Sequence, residues 1–155
     1  QQGFTAEIAL AMVSTVVVGD ALLQLPIGAL ADYLPRRTLF LSCAVLLLAS
    51  SLAIPLTLHT LLIWPIWVVF GASAGGLFTL SLILIGERYR DDALVRANAH
   101  IAQLWGIGCL VGPLVAGAGS QWISGHALPL LMAAGALGLV VLLLRQGAFG
   151  TAQPA

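Results

Sequence analysis

The chain reads as five long apolar runs separated by short polar joints, with the runs at 8–31, 39–58, 61–86, 98–120 and 127–144. Each approaches or exceeds the roughly 20 residues that a helix rising ~1.5 Å per residue needs to cross a ~30 Å hydrocarbon core. The runs are continuous rather than alternating, and a barrel strand needs only ~10 residues, so strands are not expected. Breakers mark the joints: Leu34 to Arg37, Pro55 to Thr60, Glu87 to Asp92, and Ser120 to Gly125. Nothing basic precedes the first run and no cleavage pattern follows it, so no signal peptide is expected. The pattern predicts an all-α, polytopic membrane protein with five transmembrane helices and a tail over 145–155.

Composition removes the competing classes. Of 155 residues, 60% are hydrophobic and 8% charged, with a mean hydropathy of +1.04. A soluble domain carries roughly 25% charged residues, and a disordered chain needs low hydrophobicity with high net charge. The net charge is zero, which leaves no basic face for nucleic acid. Cys43 and Cys109 fall inside apolar runs and read as small packing residues. His59, His100 and His126 are scattered and make no metal site, and no cofactor motif is present.

The arginines orient the chain. Arg36 and Arg37 follow the first run, Arg88, Arg90 and Arg96 the third, and Arg145 the fifth, while the alternate joints have none. Cytoplasmic loops carry the Lys/Arg excess, which sets the C-terminus inside and the N-terminus of the chain outside. Trp64, Trp67 and Trp122 then fall near the outer interface, where indole rings concentrate.

The runs differ in polar content. The second and fifth contain almost nothing ionisable and read as peripheral, lipid-facing helices. The first holds Asp20 and Gln24, the third a glycine-rich stretch from Gly71 to Gly76, and the fourth Gln103 with several glycines. Gly71 and Gly75, like Gly108 and Gly112, are spaced i, i+4 and share a helix face, which suits close packing in lipid. Gly112 with Pro113 also removes a backbone hydrogen bond, so the fourth helix carries either a functional bend or a static kink.

Residues Gly28, Asp32, Arg36 and Arg37 resemble the G-x-x-x-D-(R/K)-x-G-(R/K)-(R/K) loop of the major facilitator superfamily, with Tyr33 and Pro35 as departures. Gly108, Gly112, Pro113 and Gly117 are similar to that family's G-x-x-x-G-P-x-x-G-G helix, with Ala116 replacing one glycine. Glu87 and Arg96, followed by Asn98, resemble the cytoplasmic joint between those motifs. The resemblance implies most of one six-helix bundle, either helices 2–6 or 8–12. The degenerate loop and the short tail from Gln146 favour 8–12, the C-terminal half. The stretch from Leu23 to Gly28 looks like the bacterial YcaD-type branch of small permeases, which implies a bacterial cytoplasmic membrane. The implied partners are a small-molecule substrate, the N-terminal half of the transporter and the lipid bilayer.

Asp20 precedes Asp32 by twelve residues, so it lies roughly 18 Å along the helix from the cytoplasmic loop. A lipid-exposed carboxylate at that depth costs ~2.5–3.5 kcal/mol, so Asp20 should face protein or a wet cavity. It is either a proton-coupling carboxyl or a neutral hydrogen-bonded one. Gln24, one turn on, is expected to hydrogen-bond Asp20 or substrate, and Gln103 lies at a similar depth. Asp32 sits at a helix C-terminus and wants a donor such as Arg36, Arg37 or Arg96. The family resemblance implies that these residues and Glu87 form an ion-pair latch, with a solvated turn as the plain alternative; Asp91 and Asp92 are expected to be solvated loop residues.

Gly71, Ser73 and Gly75 also satisfy G-x-S-x-G, the nucleophile-elbow pattern, but that motif needs a strand–turn–helix context. An intramembrane serine protease with His100 or His126 as base is therefore a remote reading, and the chain is expected not to be an enzyme. The expected function is solute transport by alternating access, with a non-transporting assembly protein or a half-transporter as the alternative.

Overall fold

A computed structural model describes residues 5–122 and 127–149; the joint around His126 and the end of the tail lie outside them. The described residues form five helices: α1 (Ala6–Leu30), α2 (Arg36–Thr57), α3 (Ile63–Arg88), α4 (Asp91–Trp122) and α5 (Ala127–Phe149). Each overlaps one apolar run. The helices α1, α2 and α3 are long and apolar enough to cross a membrane, whereas the apolar part of α5, Pro129–Arg145, is shorter. Helix α4 opens on Asp91 and Asp92 and carries Arg96 and Gln103, which dilute its hydropathy.

The joints are tighter than the breakers suggested. Arg36 and Arg37 form the first turn of α2, and Glu87 and Arg88 the last turn of α3. Pro55 lies inside α2, Pro26 inside α1 and Pro113 inside α4, so none of the three ends a helix. The turn from α3 to α4 is made by Tyr89 and Arg90, after which Asp91 opens α4 with φ at 48°, in the left-handed region that Asp tolerates better than most residues.

Helix α3 is the hub. It packs along α1 most extensively and along α2 next, and it touches α4 lightly; α2 also packs on α5. Helices α1 and α3 run parallel, since Val16 meets Gly71 while Asp20, one turn on, meets Gly75. A Cβ on Gly71 would fall on the Val16 carbonyl oxygen and lie 2.9 Å from its carbon. A Cβ on Gly19 would likewise strike the Val68 carbonyl and lie 2.8 Å from its Cα. Backbone therefore meets backbone, which in lipid replaces the hydrophobic drive that holds soluble helices together.

Helix α2 buries one face and leaves Val45, Leu46, Leu52 and Leu56 exposed on another. It lies between α3 and α5 and buries Leu39, Cys43, Ala44, Ser50, Ser51 and Ile54. Small side chains make that packing possible. The polar ones cost little, because the hydroxyls of Ser50 and Ser51 donate to the carbonyls of Leu46 and Leu47 at 2.8 and 2.7 Å. Helix α5 packs on α2 and more lightly on α4, and it buries Ala133 and Ala136. At one end, Ala31, Leu39, Cys43 and Leu80 close a core that joins α1, α2 and α3.

Gly108 and Gly112 differ from Gly71 and Gly75: a Cβ at either, or at Gly117, would meet nothing within 4 Å. The i, i+4 spacing made a face available, but the described residues supply no helix to cover it. Gly71→Ala should therefore destabilise the intact protein by about 1–3 kcal/mol, because the Val16 backbone cannot yield. Gly86→Ala on the same helix, where a Cβ meets open space, should be neutral or stabilising by up to ~1 kcal/mol of helix propensity. Thermal midpoints in detergent compare the two.

Candidate functional site

Two polar constellations stand on this frame, one at the α1–α3 crossing and one at the arginine-bearing end. At the crossing, Gln24 Nε2 donates to Asp20 Oδ1 at 2.8 Å across one turn of α1. Both side chains are half-buried. Gly75 makes room for them: a Cβ there would overlap Asp20 Oδ1 and lie 3.2 Å from Gln24 Nε2. An alanine-sized residue at position 75 would expel the carboxyl from its seat. Gly75 thus does for a side chain what Gly71 does for backbone.

At the other end, Arg36 opens α2 and Glu87 closes α3. The Nη2 and Nε atoms of Arg36 donate to Glu87 Oε1 at 2.5 and 3.2 Å. The pair is partly exposed and contributes little to stability by itself. Its consequence is register, since it ties the start of one helix to the end of another. Asp32, exposed and without a side-chain hydrogen bond among the described residues, acts on Arg36 through its field. Arg37 donates instead to the Leu143 carbonyl at 3.4 Å, tying α2 to the C-terminal part of α5. Arg96 is exposed, and its carbonyl lies 2.6 Å from His100 Nδ1. Gly28 has open space where its Cβ would be.

Gln103 does not join Gln24. It is exposed, and α1 and α4 do not touch among the described residues. Equal depth along two helices says nothing about azimuth, and azimuth separates them. Ser73 is buried, and its hydroxyl donates to the Val69 carbonyl at 2.7 Å, with helix on both sides of it. That geometry hides a hydroxyl from lipid and builds no nucleophile elbow. No group of His, Cys, Asp and Glu among the described residues could hold a metal ion.

Two features escaped the sequence reading. Gly19 packs as closely as Gly71 but is a lone glycine in a valine-rich run; its place one helical turn from Val16 and beside Asp20 was the available signal. The second is a cavity between α3 and α4 lined by Phe78, Asn98 and Trp105, whose heptad spacing on α4 was legible but unremarked.

A sequence model of the Major Facilitator Superfamily matches residues 1–154. The chain is 31% identical over 91 residues to a protein named efflux pump dotC of Dothistroma septosporum, covering 59% of this chain and 16% of that protein. It is 27% identical over 99 residues to an MFS-type transporter of Aspergillus terreus, covering 64% of this chain and 18% of that one. The chain thus spans less than a fifth of the length of these curated relatives. Both relatives are fungal, and neither supports the bacterial branch that the motif around Gln24 resembles. No solved structure matches.

The crossing generates a test of its own. Gly75→Ala should cost less stability in an Asp20→Ala background than alone, because the obstructing carboxyl is gone. Gly71→Ala should cost the same in both. A coupling of about 0.5–3 kcal/mol between positions 20 and 75 in thermal or denaturant unfolding is the expected outcome.

Proposed function

The chain belongs to the Major Facilitator Superfamily, and on that premise we propose that the intact protein moves a small solute across a membrane by alternating access. The observation that carries this reading is the family match over residues 1–154. The family is one of transporters and not of enzymes, which removes the serine-protease reading of Ser73. The chain supplies five spans, α1 to α5, of one bundle, and the degenerate loop after α1 supports the second half of the transporter. The end that bears Arg36, Arg37, Arg88, Arg90, Arg96 and Arg145 is the cytoplasmic one, by the positive-inside rule.

Within that frame Asp20 carries the coupled proton. Its carboxyl is half-buried at a helix crossing, well away from the charged ends, and holds one hydrogen bond from Gln24. Because Gly75 of α3 makes the room for this carboxyl, a change in the packing of α1 on α3 changes its surroundings. Gln24 is the polar group beside that carboxyl, and Gln103 of α4 lies apart from it. Arg36 and Glu87 form the ion pair of a latch that holds one of the two conformations, and Gly28, Asp32, Arg37 and Arg96 stand beside it as the rest of the resembled motif. Opening it requires only a partly exposed ion pair to part, a small barrier that suits a switch. The name of the Dothistroma relative favours export as the direction of movement.

The test uses the full-length protein in proteoliposomes, with solute flux measured with and without an imposed pH gradient. Asp20→Asn keeps the size and a hydrogen bond but cannot ionise. It should abolish gradient-driven accumulation and spare downhill exchange. Full gradient-driven accumulation by the Asn variant would return Asp20 to a packing role.

A further inference from the structure

Helix α3 shows a third face, away from α1 and α2, formed by Phe78, Leu82 and Gly86 at i, i+4 and i+8. It looks onto Leu94, Asn98 and Trp105 of α4 across a cavity of about 580 Å³. The space exists because α3 and α4 meet only lightly. We propose that this cavity seats the transported solute, and that the solute is a neutral, largely apolar molecule with a planar ring and a hydrogen-bonding edge. The inference rests on the transport reading above and adds the substrate class.

Three observations on the lining carry it. First, none of the described lining side chains is ionisable. A charged solute would leave water there without a counter-charge, and the cost is prohibitive. Second, the rings of Phe78 and Trp105 stand 4.8 Å apart between centroids and tilted by 50°, and the Trp105 residue remains 55% exposed. A planar guest gains offset or edge contact with such a pair, whereas an acyl chain gains only area. Third, the exposed side chain of Asn98 makes no hydrogen bond among the described residues. Its amide offers both a donor and an acceptor to the edge of a guest, and a lipid tail would leave both unmet. The volume falls within the ~300–1,000 Å³ of pockets that enclose drug-sized ligands.

Gly86 lines the cavity, and Glu87 holds the ion pair with Arg36. The two are neighbours near the end of α3, with Gly86 toward α4 and Glu87 paired with α2.

The test uses two matched dyes, neutral Nile red and its cationic analogue Nile blue, with the full-length transporter in nanodiscs. Nile red fluorescence should show a saturable component, with Nile blue weaker by about tenfold or more because no counter-charge awaits it. Trp105→Ala should weaken Nile red by about tenfold, Trp105→Phe by less, and Asn98→Leu by about fivefold. Purely linear partitioning of Nile red overturns the proposal. So does equal affinity for the two dyes, or saturable binding that ignores positions 98 and 105. Brominated phospholipid chains that quench Trp105 equally with and without Nile red would identify a lipid tail as the occupant and overturn it too. If Nile red fails while cysteines on α1 still exchange their exposure between the two sides, the substrate class is wrong and the transport reading stands. If that exchange is also absent, the transport reading is wrong as well.

Discussion

The close approach of α1 and α3 is the contact on which everything else in the bundle rests. A helix in lipid gains little by meeting another apolar helix, so the pair must come near enough for backbone to touch backbone. Gly19 on one side and Gly71 on the other allow it. The same approach gives Gly75 its second task, since the missing side chain there is the seat of the Asp20 carboxyl. Packing and chemistry are coupled at one crossing: what separates the helices also changes the surroundings of the acid.

From this crossing the bundle extends in two ways. Toward α2 and α5 the packing is more extensive and built on Ala, Ser and Cys, with serine hydroxyls folded back onto their own helices and smaller cavities left between them. Toward α4 it is thin, and a cavity remains. Helix α3 thus has extensive contacts on one side and few on the other. The ion pair between Arg36 and Glu87 stands at the end where the two sides meet.

The helices were legible because bilayer thickness sets their length, and hydropathy records it directly. Gly71 and Gly75 were legible as a packing face because the spacing matches the helix. The same spacing at Gly108 and Gly112 could not say whether a partner lies within this chain, and none of the described helices covers them. Which face of α2 packs was hidden, because Ala44, Ser50 and Ser51 look alike whether they face lipid or another helix. Arg36 and Glu87 were both noticed, yet their pairing across 51 residues depends on how α2 returns beside α3, which no local pattern contains. Gln24 and Gln103 shared a depth but not a direction.

Cysteine accessibility at position 24 tests the alternating exposure of the α1–α3 crossing most directly. In the intact protein, Gln24→Cys is treated with a membrane-impermeant thiol reagent, applied first from one side of sealed vesicles and then from the other, with the solute gradient reversed between experiments. Labelling from one side only, exchanging sides as the gradient reverses, is the expected result. Labelling from both sides at once, or from neither under any gradient, would contradict a crossing that is opened to each side in turn.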